Sequence, residues 1–452
     1  MAYRGRSFLF VAGFFSAVVG LNGCRGGDLP VACDHHATEF REQKEAEEAP
    51  LRTPVPDTGP YPVAFQLTEE GVNRLLGKKI TEADIPFTGT LDFGAAGFEF
   101  EPEGEPVITF GELPHCSSCL LLSLEFQVQL LNAGEPDSTG FGEVELSVPM
   151  ELAADEAGGV TTLFADYGRI NVEEISLSVK GISLTPDEHA QYAGAIGILL
   201  TEKLQEEFGQ LELMSIGSWT IGGGNIRLLA RELLVFPDHG KLALGMQTNL
   251  PLPDAAGLFL DAPLPEGTPM AVTFDSRIFL SMSHRMLAEG QIPRRYDDNG
   301  QPDDLGIYAV TLDRMVGNAR GAQQLDAEFN VWRIADGLCG NVRAAMPLTL
   351  EVTENRKGFR VAAGGATLLS GEGSGLQALE EKELVDQNEA LIDTFRRELA
   401  DSVGNTINYD AFDVEGSLIV VEVDDLTVNQ LEVNSLLDFR IFDDPNAAAP
   451  GE

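Results

Sequence analysis

In one stretch of this chain Leu122, Leu124, Phe126, Val128 and Leu130 alternate with Ser123, Glu125, Gln127 and Gln129. A period of two sends the apolar side chains to one face of a strand and the polar ones to the other. Val144-Glu-Leu-Ser-Val148 and Ile175-Ser-Leu-Ser-Val-Lys180 repeat the pattern. Such strands suit an antiparallel sheet with one face covered, so something must lie on the apolar side. Two helical stretches can do so. Thr185-Pro186-Asp187-Glu188 is a helix start: Thr185 caps, Pro186 fits the first helical position and Glu188 closes a capping box. Tyr192, Ile196, Leu200, Leu204 and Phe208 then recur every four residues, with Leu199 and Leu211 beside them. That is one long helix with a single apolar stripe. A second runs from about Leu379 to Val403, its stripe made of Leu384, Leu391, Phe395, Leu399 and Val403.

The same order of elements occurs twice. Val63-Ala-Phe-Gln-Leu-Thr-Glu-Glu-Gly-Val-Asn-Arg-Leu-Leu76 is a strand running into a helix, and the segment from Val272 to Leu287 has the same shape. Ser147-Val-Pro149-Met-Glu-Leu152 matches Ala345-Met-Pro347-Leu-Thr-Leu350, each inside a strand-like run. Each half then has its long helix and closes with alternating strands, such as 241–246 and 418–423. The Pro- and Gly-rich segment from Pro251 through Pro269 is the junction. With 452 residues there is chain enough for two or three cores. The expected organisation is α+β, with one half at 61–262, a second at 268–444 and a disordered tail at 445–452.

This order resembles the bactericidal/permeability-increasing protein and lipopolysaccharide-binding protein group, the tubular lipid-binding superfamily. The nearest local likeness is Met270-Ala-Val-Thr-Phe-Asp-Ser-Arg-Ile-Phe-Leu-Ser-Met-Ser-His-Arg-Met-Leu-Ala-Glu-Gly290, which looks like the first strand and helix of that group's C-terminal barrel. Cys339-Gly-Asn-Val-Arg-Ala-Ala-Met-Pro-Leu348 is similar to a strand of the same barrel. The resemblance covers about 61 to 444 and lies in element order and local pattern. It implies a boomerang of two tandem barrels, each a strongly curved antiparallel sheet wrapped around a long helix, with an apolar pocket for acyl chains. The ligand-facing candidates on the helices are Tyr192, Ile196, Leu200, Leu204, Leu391, Phe395 and Leu399. Ala193, Gly194, Ala195 and Gly197 make the first helix slim. Either they leave room that an apolar guest fills, or they let the sheet approach and close the gap; the sequence leaves both open. The basic tip of lipopolysaccharide binders is not matched, since Lys78-Lys79 is the only basic pair in the corresponding region.

The first residues read as an address. Arg4 and Arg6 precede the apolar run Ser7–Leu21, too short for a membrane span and suited to a signal peptide's apolar region. Leu21-Asn22-Gly23-Cys24 resembles the bacterial lipobox, in which the Cys sulfur takes a diacylglycerol; Asn22 is a less usual residue at its place. The expectation is a signal peptide at 1–23, lipidation of Cys24 with fatty acyl chains such as palmitate, and a flexible tether at 24–60. Arg25, in place of an Asp that resembles an inner-membrane retention signal, points to the outer membrane.

The formal net charge is −42, and it falls to −44 without residues 1–23, which hold Arg4 and Arg6 and no acid. Such a surface repels nucleic acid and anionic headgroups at long range, while leaving an internal acyl-chain cavity unaffected. A neutral or zwitterionic lipid suits it better than lipopolysaccharide. Besides Cys24 there are four cysteines. Cys116-Ser-Ser-Cys119 precedes an alternating run, not a helix, which favours a structural disulfide over a redox or His115-assisted metal site. Whether Cys33 and Cys339 pair is left open. Asp297, Asn299 and Asp303 are spaced as in part of a calcium loop, but Arg295 stands where a carboxylate is needed, so an acidic hairpin turn on Asn299-Gly300 is expected. The sequence holds no P-loop, nucleophile elbow, HExxH or dinucleotide fingerprint. An anchored lipid-binding or lipid-transfer protein without catalysis or cofactor is therefore expected. The alternative is a structural or adhesive envelope module whose acidic surface, with calcium, meets a protein partner.

Overall fold

The computed structural model describes residues 30–52, 61–82, 89–92, 96–132, 138–155, 160–180, 183–216, 228–252, 258–320, 323–335, 338–374, 381–404, 412–414 and 417–442. The lipobox with Cys24 and the tail from 445 lie outside the described residues.

In chain order the first half contains helix α1 (Pro30–Glu48), strand β1 (Val63–Thr68), helix α2 (Glu69–Glu82), β2 (Gly89–Asp92), β3 (Ala96–Pro102), β4 (Val107–Leu113), β5 (Cys116–Asn132), β6 (Ser138–Asp155), β7 (Val160–Asp166), β8 (Asn171–Val179), α3 (Pro186–Phe208), β9 (Gln210–Ile216), β10 (Leu228–Phe236) and β11 (Lys241–Thr248). The second half continues with β12 (Met270–Asp275), α4 (Ile278–Glu289), β13 (Arg295–Tyr296), β14 (Tyr308–Gly317), β15 (Gln324–Ala335), β16 (Leu338–Val352), β17 (Phe359–Ala363), β18 (Thr367–Ser374), α5 (Glu381–Gly404), β19 (Phe412–Val414), β20 (Ser417–Val428) and β21 (Glu432–Phe442). The fold is mixed α+β, mostly antiparallel sheet.

Three sheets organise these strands. An eight-stranded sheet has the order β2-β3-β5-β6-β7-β9, with β4 also on β5 and β8 also on β6. A six-stranded sheet runs β13-β14-β15-β16-β17, with β18 also on β16. The long strands change neighbours along their length. β6 pairs with β8 over 140–147 and with β7 over 150–155. β16 pairs with β18 over 339–345 and with β17 over 348–352. Pro149 and Pro347 sit at these two changeovers. A proline has no N–H to give a ladder, so it fits where a strand leaves one neighbour before meeting the next. The two motifs matched in the sequence therefore occupy the same structural position.

The third sheet belongs to neither half alone. Its order is β10-β11-β1-β12-β21-β20-β19, and β1 pairs antiparallel with β12 from Val63↔Phe274 to Leu67↔Met270. The strand opening the first half thus lies beside the strand opening the second. One face carries Val63, Phe65, Leu67, Leu242, Leu244, Met270, Val272 and Phe274, all in a main core that runs through both halves. The other face carries Ala64 and Ala243, covered by Leu260 of the junction. A polar row crosses this second face: Lys241 Nζ donates to Gln66 Oε1 (2.7 Å), Gln66 Nε2 to Thr273 Oγ1 (2.7 Å), and Thr273 Oγ1 to Asn434 Oδ1 (2.7 Å). Lys241 is 1 % exposed, donates also to the Ala262 carbonyl, and lies 5.3 Å from the Phe236 ring centroid. Burial pushes its ammonium down to about 8. Buried polar groups need partners, and this row supplies them across four strands, by diagonal contacts from Lys241 through Gln66 to Thr273 and by the direct pair Thr273↔Asn434. Gly71 lets α2 meet the end of the junction, because a Cβ there would fall 2.4 Å from the Pro269 carbonyl oxygen.

The tether expected at 24–60 is corrected for residues 30–48, which form α1. This helix packs on the outer face of the six-stranded sheet and on α4, as the contacts below show.

Candidate functional site

Each half lays a long helix on its sheet. α3 has 23 residues and begins at the expected cap: Glu188 N donates to Thr185 Oγ1 (3.3 Å) and Thr185 N to Glu188 Oε2 (2.8 Å). Ile196, Leu200 and Leu204 are buried, while Tyr192, Leu199 and Phe208 are half-buried against the same core. The Phe208 and Tyr167 rings lie 5.0 Å apart. The small residues divide in role. A Cβ on Gly197 would meet Val172 and Ile175 of β8 at 3.1 and 3.2 Å, so this glycine lets the strand approach. A Cβ on Gly194 would meet nothing within 4 Å.

α5 has 24 residues, and Leu391, Phe395, Leu399 and Val403 are buried along it. Phe395 packs on Phe329 of β15 with ring centroids 5.1 Å apart. The side chain of Leu384 lies outside the described residues. All seven ligand-facing candidates thus sit on the inner stripes of α3 and α5. Two cavities lined by described residues are elsewhere, and none of the seven lines either.

Both of those cavities adjoin α1. One, of about 360 Å³ and mostly apolar, lies between α1, α4 and β14 and is lined by Gln43, Glu47, Leu51, Leu280, His284 and Leu312 among others. The other, of about 600 Å³ and mostly polar, is bordered by Lys44, Arg294, Arg295, Asp303 and Asp304. Glu47 of the first is ion-paired with Arg294 of the second. Arg294 Nη1 donates to Glu47 Oε2 (2.6 Å), and Glu47 Oε1 accepts from the Leu312 amide (2.6 Å). Glu47 is withdrawn from water, and burial lifts its carboxyl to about 7 despite Arg294 and that amide. Burial likewise holds His284 below the usual imidazole range, with its Nε2 2.7 Å from the Leu312 carbonyl oxygen. Burial raises Asp313, against the opposing hydrogen bond from Asn330.

Farther along α1, Gln43 Oε1 accepts from Thr311 Oγ1 (2.8 Å) and Asn330 Nδ2 (3.1 Å). Trp332 Nε1 donates to the same Thr311 hydroxyl (2.9 Å). Phe40 and His36 complete the contact, their rings 6.5 and 6.4 Å from that of Trp332. Hydrophobic periodicity could not reveal this helix, because among its described side chains Phe40 is the only large apolar one. The available signal was a 4-3-4 spacing of His36, Phe40, Gln43 and Glu47, mostly polar and so unlike an apolar stripe.

Other predicted sites fall as follows. Cys116 and Cys119 form a disulfide at the start of β5. His115 beside them places Nε2 3.1 Å from Ser147 Oγ and 3.0 Å from Glu173 Oε1, while Ser147 donates to Glu173 (2.5 Å). One ring nitrogen faces both partners, so this is a closed polar cluster and not a proton relay. Cys339 is disulfide-bonded, and the side chain of Cys33 lies outside the described residues. Asp297 Oδ1 accepts from the Asn299 and Gln301 amides (2.9 and 2.8 Å), and Gly300 has φ +73°, which builds the turn on Asn299-Gly300. Asp303 Oδ1 accepts from the Leu305 amide (2.9 Å). Those backbone bonds hold the Asp297 carboxyl below its usual range. Among the described residues no three His, Cys, Asp or Glu side chains converge as metal ligands do, and no helix is long and apolar enough to cross a membrane.

No family model and no curated protein matches this chain. Among solved structures it is similar to a lipopolysaccharide binding protein, at 10 % identity and TM-score 0.40, over 84 % of this chain and 99 % of that one. It is similar also to P47 from Clostridium botulinum A2, at 10 % identity and TM-score 0.43, over 83 % and 97 %. P47 of Clostridium botulinum E1 gives 10 % and 0.42, over 84 % and 99 %.

Proposed function

We propose that this protein binds lipid or another apolar ligand in a bacterial envelope, held there by a lipid on Cys24, and that its halves are the tandem barrels of the resembled superfamily. The observation that carries the reading is the repeated construction. In each half a helix of more than twenty residues lays an apolar stripe on a sheet whose long strand changes neighbours at a proline. A guest chain taken up along such a stripe gains about 0.8 kcal/mol per buried methylene before ordering costs. The acidic surface favours a neutral or zwitterionic guest over an anionic one.

The test is native mass spectrometry of the Cys24→Ser form secreted by a bacterial host, followed by solvent extraction. Bound lipid in stoichiometric amount is the expected result. Protein that emerges empty and takes up no fluorescent fatty-acyl probe refutes the reading. The anchor is tested separately, by the mass of the N-terminal peptide from the unsubstituted protein. A diacylglyceryl group on Cys24, absent after Cys24→Ser, is expected.

A further inference from the structure

Cys339 is disulfide-bonded, and Cys116 and Cys119 are joined to one another. The chain has five cysteines. Within one molecule the partner of Cys339 is therefore Cys24 or Cys33. We propose that it is Cys33, and that the bond staples α1 to the second half as a fixed clasp.

The argument is one of register. On β15, Asn330, Trp332 and Ile334 alternate onto the face that α1 covers. Asn330 and Trp332 belong to the contact described above, and Ile334 packs on the Phe40–Trp332 cluster. On α1, Gln43 lies at Asn330 while Phe40 and His36 lie at Trp332, so moving toward the helix N-terminus means moving up β15. The next rung is Ile334, whose strand partner is Cys339. Cys339 also alternates in phase with Asn341, the partner of Trp332, and so lies on the same sheet face. On the helix, Cys33 precedes His36 by three residues and extends the 4-3-4 spacing of His36, Phe40, Gln43 and Glu47 to 3-4-3-4. One turn of helix, about 5 Å, and one two-residue step of strand, about 7 Å, thus carry both elements from the Trp332 contact to their cysteines.

Formation is a two-electron oxidation. The two thiols lose two protons and two electrons as the Sγ–Sγ bond forms, and the disulfide of a thiol–disulfide oxidoreductase in an oxidising compartment is reduced to its dithiol. At the other end of α1 the buried Glu47–Arg294 pair fixes the helix without a covalent bond. The clasp does not depend on the protein carrying lipid. It does exclude Cys24 as the partner, which a thioether on that sulfur would exclude as well.

The first measurement is non-reducing peptide mapping of the unsubstituted full chain and of the Cys24→Ser form. A Cys33–Cys339 peptide in both is expected. A Cys24–Cys339 peptide, a Cys339 dimer or two free thiols overturns the proposal. The second measurement is hydrogen exchange of the residue 34–42 amides in Cys33→Ser and in Cys339→Ser. Exchange about tenfold faster or more is expected, because the helix then opens without unfolding the sheet. A change below about twofold in both variants overturns the clasp, even if the bond exists.

Discussion

Glu47→Gln isolates the one ionisable group at the base of α1 that burial displaces furthest. Its carboxyl sits at about 7 in the folded protein against an ordinary 4.5, and burial is the cause. The sign follows from linkage. A carboxyl raised on docking binds its proton more tightly in the docked state, so its contribution is full below pH 4.5 and is lost as pH rises through 7. Between pH 6 and pH 8 the loss is on the order of 1 kcal/mol, or roughly a five- to tenfold rise in the opening equilibrium of the helix. His284 and Asp313 titrate in the same neighbourhood. Burial of His284 acts in the opposite sense, since a depressed imidazole loses its contribution as pH falls through its folded value. Both groups keep their identity in the variant, and because Asp313 acts on Glu47 through its charge, the difference between the two proteins reports Glu47 together with that coupling. The assay is amide exchange of residues 43–49 at pH 6, 7 and 8, corrected for intrinsic rates. Protection in the unsubstituted protein should fall across this range relative to Glu47→Gln. Parallel pH profiles in the two proteins, or protection that rises with pH in the unsubstituted one, refute the reasoning.

Leu200→Ala and Phe395→Ala each remove a buried side chain from a helix stripe and should destabilise by about 2–5 kcal/mol, read as a lowered denaturant midpoint. Thr185→Ala removes the cap of α3, and since the site is exposed a loss of about 1 kcal/mol is expected from the same assay. Lys241→Met leaves Gln66 Oε1 and the Ala262 carbonyl without their donor. A loss of roughly 1–3 kcal/mol in thermal or chemical melts is expected, with the Gln66→Leu, Lys241→Met double variant recovering part of it. Full recovery of none of the loss counts against a shared network.

What sequence conveyed best is what repeats locally. The capping box of Thr185 and Glu188, the stripe from Ile196 to Leu204 and the glycine turn at Gly300 are each written within a few residues, and local chemistry decides them. The pairing of Pro149 with Pro347 was also legible, because a proline inside an alternating run is conspicuous. The central sheet was not. Alternation says which way a side chain points but not which strand lies alongside, and Val63–Thr68 gives no sign that Met270–Asp275, some two hundred residues later, is its neighbour. α1 escaped for a different reason: its contact uses Gln43, Glu47 and the carboxylate–guanidinium geometry of Arg294, and polar recognition has no hydrophobic period. The two cavities beside it went unseen with it, while the helix stripes proposed to face a ligand were visible from the start.

The adjacency of β1 and β12 bears on how such a protein can be taken apart or could have arisen. The opening strands of the two halves pair antiparallel, as strands related by a two-fold axis do, the arrangement by which two identical chains close on themselves. A gene fragment encoding one half would leave that border of backbone amides and carbonyls unsatisfied, and the simplest remedy is a second copy of itself. Separate expression of the halves should therefore yield self-associating species, not tidy monomers, and bending at the junction should cost the rupture of a sheet and not the flexing of a hinge.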